Sequence, residues 1–182
     1  QLETAIKSYE KVIAIKPDNA DVHFNLGDTL RELGQLDAAV KSYEKALAIN
    51  PDYAEVYNNL GNALKDLGNL DAAVKCYDKA LAIKPDYAKA FNNLGFTLQE
   101  LGQLDAAVKN YEMALAINSN YYEALNNLGD TLRELGQLDA AVKSYEKALV
   151  INPDYSLAYY NLSLLKKYTA NDPQITKMKS LL

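Results

Sequence analysis

The eight glycines of this chain stand at Gly27, Gly34, Gly61, Gly68, Gly95, Gly102, Gly129 and Gly136, with intervals alternating between 7 and 27 residues. Every second glycine therefore recurs after 34 residues, and Pro17, Pro51, Pro85 and Pro153 keep the same period, with Ser119 in the place of the absent proline. Asn25 to Leu47 is identical to Asn127 to Leu149 throughout. Such a period constrains the fold before any other feature. Each unit is one supersecondary element that cannot bury its apolar face alone, so units must stack on their neighbours.

Within a unit the pattern predicts two amphipathic helices. Val56, Tyr57, Leu60, Leu64 and Leu67 recur at spacings of three and four, as a one-sided helix requires. Gly68 supplies a left-handed C-terminal position and Asn69-Leu70-Asp71 turns the chain. From Asp71, an N-cap or first-turn acid, the residues Ala72, Ala73, Val74, Tyr77, Ala80, Leu81 and Ile83 mark a second helix. Pro85 ends it, because proline cannot continue the hydrogen-bond ladder. Gly61 lies inside the first helix, where glycine costs about 1 kcal/mol relative to alanine. Close approach of another helix explains its presence there.

The series Tyr57, Leu60, Gly61, Leu64, Ala73, Tyr77, Ala80 and Pro85 resembles the tetratricopeptide repeat (TPR), and the resemblance covers nearly the whole chain. It implies an all-α fold, a right-handed superhelical solenoid of antiparallel helix pairs, in a single array over residues 1–182. A lone second helix at 1–19 precedes full repeats at 20–53, 54–87, 88–121 and 122–155. A fifth first helix from 156 to about 169 and a closing helix complete about eleven helices by residue 182. Departures from the family pattern are His23 and Leu125 at the first aromatic slot, Leu30, Leu64, Leu98 and Leu132 where tyrosine is frequent, and Ser119 for proline. In the tail, Ser163 replaces a glycine and Lys166 an apolar residue; Asn171-Asp172-Pro173 is a cap followed by a first-turn proline. Ile175, Met178, Leu181 and Leu182 then form one face of the short closing helix, expected to cover the last repeat.

In the family, first helices line a concave groove. Counting residues 20, 54, 88, 122 and 156 as position 1, the resemblance turns positions 2, 5, 6, 9, 12 and 13 toward it. Position 6 is asparagine in all five first helices: Asn25, Asn59, Asn93, Asn127 and Asn161. Asn58, Asn92 and Asn126 add a shorter row at position 5, and Asn62 stands at position 9. An amide both donates and accepts, so such a row can hold a peptide backbone without reading its side chains. It resembles the asparagine ladder in the TPR region of O-GlcNAc transferase. The other reading is that duplication copied solvated asparagines with the rest of the unit. Position 6 nevertheless persists in the diverged fifth helix and after the altered Val22-His23-Phe24.

Charge and apolar anchors refine the expected ligand. Groove positions hold the acids Asp21, Asp28, Glu32, Glu55, Asp66, Glu100, Glu123, Asp130 and Glu134 against Arg31, Lys65, Lys89, Arg133 and Lys167, a surplus of four acids within a net charge of −5. Neutral or basic protein segments are the expected partners, since like charges slow encounter and weaken binding. Phe24, Phe96, Tyr160, Leu164 and Tyr168 are the apolar groove residues; packing between repeats is an equal reading for Phe24 and Tyr160, and Phe96 is the preferred anchor. The carboxylate clamp of chaperone-binding TPR domains is not reproduced: Asn58, Asn62 and Asn93 supply amides, but Glu123 and Asn127 stand where cations belong. No strong binding of an acidic C-terminal peptide in the groove is expected.

The remaining composition excludes more than it suggests. Nineteen Lys plus Arg against twenty-four Asp plus Glu repel a phosphate backbone, so no nucleic-acid partner is expected. His23 is the only histidine and Cys76 the only cysteine, which removes His–Cys nucleophilic pairs, His-rich metal sites and internal disulfides. His23 reads as a packing residue and Cys76, in the slot of Ser8, Ser42, Asn110 and Ser144, as a polar outer residue. Every glycine is committed to the repeat, leaving no phosphate loop. No catalytic residue, cofactor or metal is expected. No apolar run reaches the roughly 18 residues of a membrane span and no leader opens the chain, so a cytoplasmic location is expected. The chain begins inside a repeat and reads as an excised segment. Two alternatives follow. One is a substrate-presenting arm of a larger transferase, because Leu162-Ser163 to Asp172-Pro173-Gln174-Ile175 resembles junctions between bacterial TPR arrays and sulfotransferase-like domains. The other is head-to-tail self-assembly through unpaired terminal helices, with Leu2, Ile6, Tyr9 and Ile13 as the contact residues of the first.

Overall fold

Apolar residues three and four apart, punctuated by glycine and proline, fold into ten helices among the described residues of the computed structural model, 2–166. In chain order these are α1 (Leu2–Ile15), α2 (Ala20–Glu32), α3 (Leu36–Ile49), α4 (Ala54–Asp66), α5 (Leu70–Ile83), α6 (Ala88–Glu100), α7 (Leu104–Ile117), α8 (Tyr122–Glu134), α9 (Leu138–Ile151) and α10 (Ser156–Leu165). Lys167, Tyr168 and the expected closing helix with Ile175, Met178, Leu181 and Leu182 lie outside the described residues.

The chain forms two compact units, one ending at Thr97 and one starting at Leu98. In the first, α1 to α5 pack each on the next, and α2 also touches α4. In the second, α7 to α10 pack in the same serial way, and α8 also touches α10. The fold is therefore all-α, with helix pairs stacked so that first helices meet first helices.

Each hairpin turn follows from one glycine. At the end of α4 the chain passes through Leu67 in a right-handed conformation and Gly68 at φ +80°. The Gly68 amide then reaches the Lys65 carbonyl at 2.8 Å and the Asn69 amide reaches that of Leu64 at 2.8 Å. These two bonds satisfy carbonyls that the helix end leaves open. Gly34, Gly102 and Gly136 repeat the positive φ. The second helix starts at Leu70, so Asp71 is a first-turn acid and not the N-cap; Asn69 holds that position without a side-chain bond. A side-chain cap does occur at Asn19, which accepts from the amides of Asp21 and Val22 at the start of α2.

In three repeats the other glycine admits a tyrosine. A Cβ built on Gly61 would stand 2.6 Å from the Tyr77 ring, and the same distance separates Gly27 from Tyr43 and Gly129 from Tyr145. Tyr43, Tyr77 and Tyr145 are fully buried, each flanked by fully buried alanines such as Ala73 and Ala80. The small residues let the helices close in, and the ring fills the space. Gly61→Ala tests this directly: helix propensity favours alanine by about 1 kcal/mol, whereas overpacking at 2.6 Å costs about 1–3 kcal/mol. The clash is expected to win, so the variant should melt several degrees below the parent in thermal unfolding.

Candidate functional site

The first-helix residues singled out by sequence form a hydrogen-bonded system as well as a surface. It begins at the buried tyrosines. The Tyr43 hydroxyl donates to Asp28 Oδ1 at 2.6 Å, that of Tyr77 to Asn62 Oδ1 at 2.9 Å, and that of Tyr145 to Asp130 Oδ1 at 2.8 Å. Burial and the neighbouring carboxylate push the Tyr43 and Tyr145 phenols well above their ordinary range. Both therefore stay protonated and act as donors. Position 9 is thus the acceptor that completes the buried tyrosine of its own repeat.

Position 6 ties three of the first helices to the repeat before. Asn59 Nδ2 donates to Asp28 Oδ1 at 2.8 Å and Asn93 Nδ2 to Asn58 Oδ1 at 2.9 Å. In the second unit Asn161 Nδ2 donates to Asn126 Oδ1 at 3.0 Å and to Asp130 Oδ2 at 3.2 Å. Asn58 closes the sequence by donating to Asn59 Oδ1, and Asn126 by donating to Asp130 Oδ2. Asn58 and Asn126 are fully buried and Asn92 and Asn161 nearly so, whereas Asn59, Asn62, Asn93 and Asn127 are half-buried and Asn25 is exposed. The rows therefore split: position 5 is an inner brace, and the half-buried asparagines of position 6 combine bracing with partial exposure.

The apolar positions divide in the same way. Phe24 is half-buried between Tyr43 and Tyr53, with ring centroids 6.3 and 5.4 Å away, which is the packing alternative. Phe96 remains exposed at 37%, with Lys65 Nζ 4.8 Å from its ring centroid. Tyr160 and Leu164 are exposed on α10. In the second unit the Tyr111 hydroxyl donates to Gln99 Oε1 at 3.2 Å, and Gln99 donates to Glu134.

Most groove charges are engaged. Glu55 pairs with Lys84 at 2.9 Å, and that hydrogen bond holds its carboxyl below the usual range. Arg31 lies 3.8 Å from Asp66 and Arg133 3.5 Å from Asp130, so neither arginine turns to the adjacent Glu32 or Glu134. Tyr53 donates to Asp21, and burial with that carboxylate pushes its phenol up to about 12. Lys89 is exposed and Glu123 half-buried.

His23 is buried and its Nε2 meets the Pro17 carbonyl at 2.9 Å, as a packing residue that closes the preceding turn. The slot of Cys76 faces inward, which corrects the reading of a polar outer position. Ser42 and Ser144 are buried there and return their hydroxyls to Ala38 and Ala140 carbonyls one turn back, and Asn110 does the same to Ala106. Cys76 packs against the first core, and burial pushes its thiol up to about 11. Ile6, Tyr9 and Ile13 of α1 are half-buried against that same core. Among the described residues no group of three or more His, Cys, Asp or Glu comes together as a metal site, and no helix is long and apolar enough to cross a membrane.

With this geometry in hand, the family follows. Profiles described as TPR repeat match residues 1–30, 27–68 and 61–102, and one described as tetratricopeptide repeat matches 86–154. The chain belongs to the tetratricopeptide repeat family. Among solved structures it is similar to MamA at 30% identity and TM-score 0.77, over 84% of this chain and 89% of that one. It is also similar to YrrB, described as a TPR protein with an unusual peptide-binding site, at 25% identity and TM-score 0.72 over 97% and 91% of the two chains. A third is TTC0263, a thermophilic TPR protein of Thermus thermophilus, at 25% identity and TM-score 0.75 over 90% of each chain. A search of curated protein sequences finds no match.

Three outcomes check this construction. Asp130→Ala leaves Tyr145 and Asn126 without their acceptor and Asn161 with one of its two, and should cost about 1–3 kcal/mol in urea unfolding. Asn25→Ala, on an exposed position, should stay within about 0.5 kcal/mol. Because the thiolate is the reactive form and burial raises the thiol, Cys76 at pH 8 should react with an aromatic disulfide at least about tenfold more slowly in the folded protein than in urea.

Proposed function

We propose that the chain is a protein-interaction scaffold that binds an extended peptide segment along its first-helix face, with Phe96 as the anchor. The observation that carries the reading is the exchange at position 9. Asp28, Asn62 and Asp130 complete a buried tyrosine there, whereas Phe96 offers no acceptor and holds its ring 37% exposed. An aromatic left in water in a slot that is polar in the other full repeats is a hot-spot candidate. Lys65 beside the ring keeps its flank polar, and Asn59 and Asn93, each held by a bond to the preceding repeat, retain amide capacity for a peptide backbone. Bracing lowers the side-chain entropy lost on binding.

The peptide-binding site in the description of YrrB supports the same class of ligand. The surplus of acids on the first-helix positions favours a neutral or basic segment; pairing with Lys84 and Arg31 reduces local fields without changing that sum.

Twelve-residue peptides selected on the intact chain by phage display, labelled and titrated by fluorescence anisotropy, test the reading. Phe96→Ala should weaken the selected peptides at least about tenfold, equivalent to about 1.4 kcal/mol. Among peptides sensitive to that change, Lys→Glu substitutions in the peptide should weaken binding further. Affinity indifferent to Phe96→Ala for every recovered peptide would overturn the anchor, and tighter binding after Lys→Glu would overturn the charge preference.

A further inference from the structure

The second-helix side of the second unit carries an apolar recess whose walls are built from departures from the repeat. It has a volume of about 350 Å³ and is lined by Leu115, Ser119, Leu125, Lys147, Val150 and Ile151. Leu125 takes the slot of His23, Tyr57, Phe91 and Tyr159, so an aliphatic side chain, smaller than tyrosine or phenylalanine and without the polar nitrogens of the imidazole, stands there. Ser119 removes the proline ring at the mouth. Val150, 82% exposed, replaces the alanine of every other unit and adds an apolar wall. The exposed Met113 replaces a lysine present in the four other second helices.

The first unit supplies an internal comparison. Its equivalent recess, 102 residues earlier in sequence, has a volume of about 290 Å³ and is lined by Ile13, Pro17, Asp18, His23, Lys45, Ala48 and Ile49. There the imidazole is tied to the Pro17 carbonyl and Asp18 stands on the rim. In the second unit His23 becomes Leu125, Pro17 becomes Ser119, Ala48 becomes Val150 and Asp18 becomes Asn120, while Lys45 is kept as Lys147. Between these changes runs Asn127 to Leu149, a segment with no difference from Asn25 to Leu47. On both sides of the identical stretch an apolar side chain is gained, Leu125 for His23 and Val150 for Ala48, while one acid is lost, a proline becomes serine and the cation is retained. Among the described residues Lys147 has no carboxylate within ion-pairing distance.

We propose that this recess is a second docking site, which takes a Leu- or Phe-sized side chain of a partner protein segment that sets a carboxylate beside Lys147. The volume lies within the range of side-chain and ligand clefts, about 300–1,000 Å³. The apolar walls supply the affinity and the uncompensated lysine selects an acidic neighbour. The first-helix face favours the opposite charge, so the two surfaces discriminate between segments of opposite sign.

The probe is a set of labelled twelve-residue peptides, blocked at both ends, with a central Leu or Phe flanked by Glu. Control peptides carry Lys for Glu or Ala for the central residue. On the intact chain, the Glu-flanked Leu or Phe peptides should bind and shift the methyl signals of Leu115, Leu125, Val150 and Ile151 in NMR. Leu125→Tyr, which restores the residue of two other repeats, and Lys147→Glu should each weaken binding at least about tenfold, and Phe96→Ala should leave it unchanged. Val150→Ala, at an exposed position, is the second variant and should weaken binding at least about threefold. Methyl shifts elsewhere, affinity indifferent to Leu125→Tyr and Val150→Ala, or equal binding of Lys-flanked peptides would overturn the proposal. So would sedimentation showing self-association that Leu125→Tyr abolishes, because the occupant would then be a second copy.

Discussion

The approach of a bare glycine backbone to a tyrosine ring is the contact on which the rest of this structure depends. The 2.6 Å to a hypothetical Cβ at Gly27, Gly61 and Gly129 leaves no room for any other residue without movement of the ring. Once the ring is seated, its hydroxyl emerges on the far side of the first helix, beside position 9. A buried phenol needs an acceptor there, so packing inside one repeat dictates a polar residue on the outward edge of that repeat. The acceptor has spare lone pairs, which the position-6 asparagine of the following repeat uses. Core packing within a unit and registration between units are thus one continuous system.

That continuity explains which parts were legible in sequence. The two helices, the left-handed turn at Gly68 and the purpose of Gly61 follow from local periodicity and from the cost of glycine in a helix, both properties of a single unit. The asparagine row was legible as a row, because its 34-residue spacing is visible. Its partners were not, since the partner of Asn59 is Asp28, 31 residues away across a packing contact that periodicity alone does not define. The inward orientation of the Cys76 slot was hidden for a related reason: serine, cysteine and asparagine look polar in composition. A hydroxyl or amide that bonds the carbonyl one turn back can still sit in a core.

The identical segments Asn25 to Leu47 and Asn127 to Leu149 show how much a unit decides for itself. Tyr43 and Tyr145 find the same acceptor slot, Ser42 and Ser144 the same carbonyl, and Thr29 and Thr131 the same backbone oxygen four residues back. The arginines differ. Arg31 lies near Asp66 of the next repeat, whereas Arg133 stays within its own helix beside Asp130. The sequence-equivalent residue to Asp66 is Tyr168, which offers no carboxylate. Buried partners are therefore set by the unit, and surface ion pairs by its neighbour.

A duplicated scaffold of this kind separates stability from recognition by position. A change at a glycine or tyrosine slot affects the contact that seats every other group, so little freedom exists there. A change at position 9 frees a surface side chain, as Phe96 shows, and in the second unit the Tyr111 hydroxyl is served by Gln99. At position 4 Leu125 remains buried beside the recess on the second-helix side. Departures from the repeat therefore concentrate where the frame tolerates them, and each one alters the shape or charge of a surface and leaves the stack unchanged. In a chain whose units are otherwise copies, those departures are what makes one repeat's surface differ from the next.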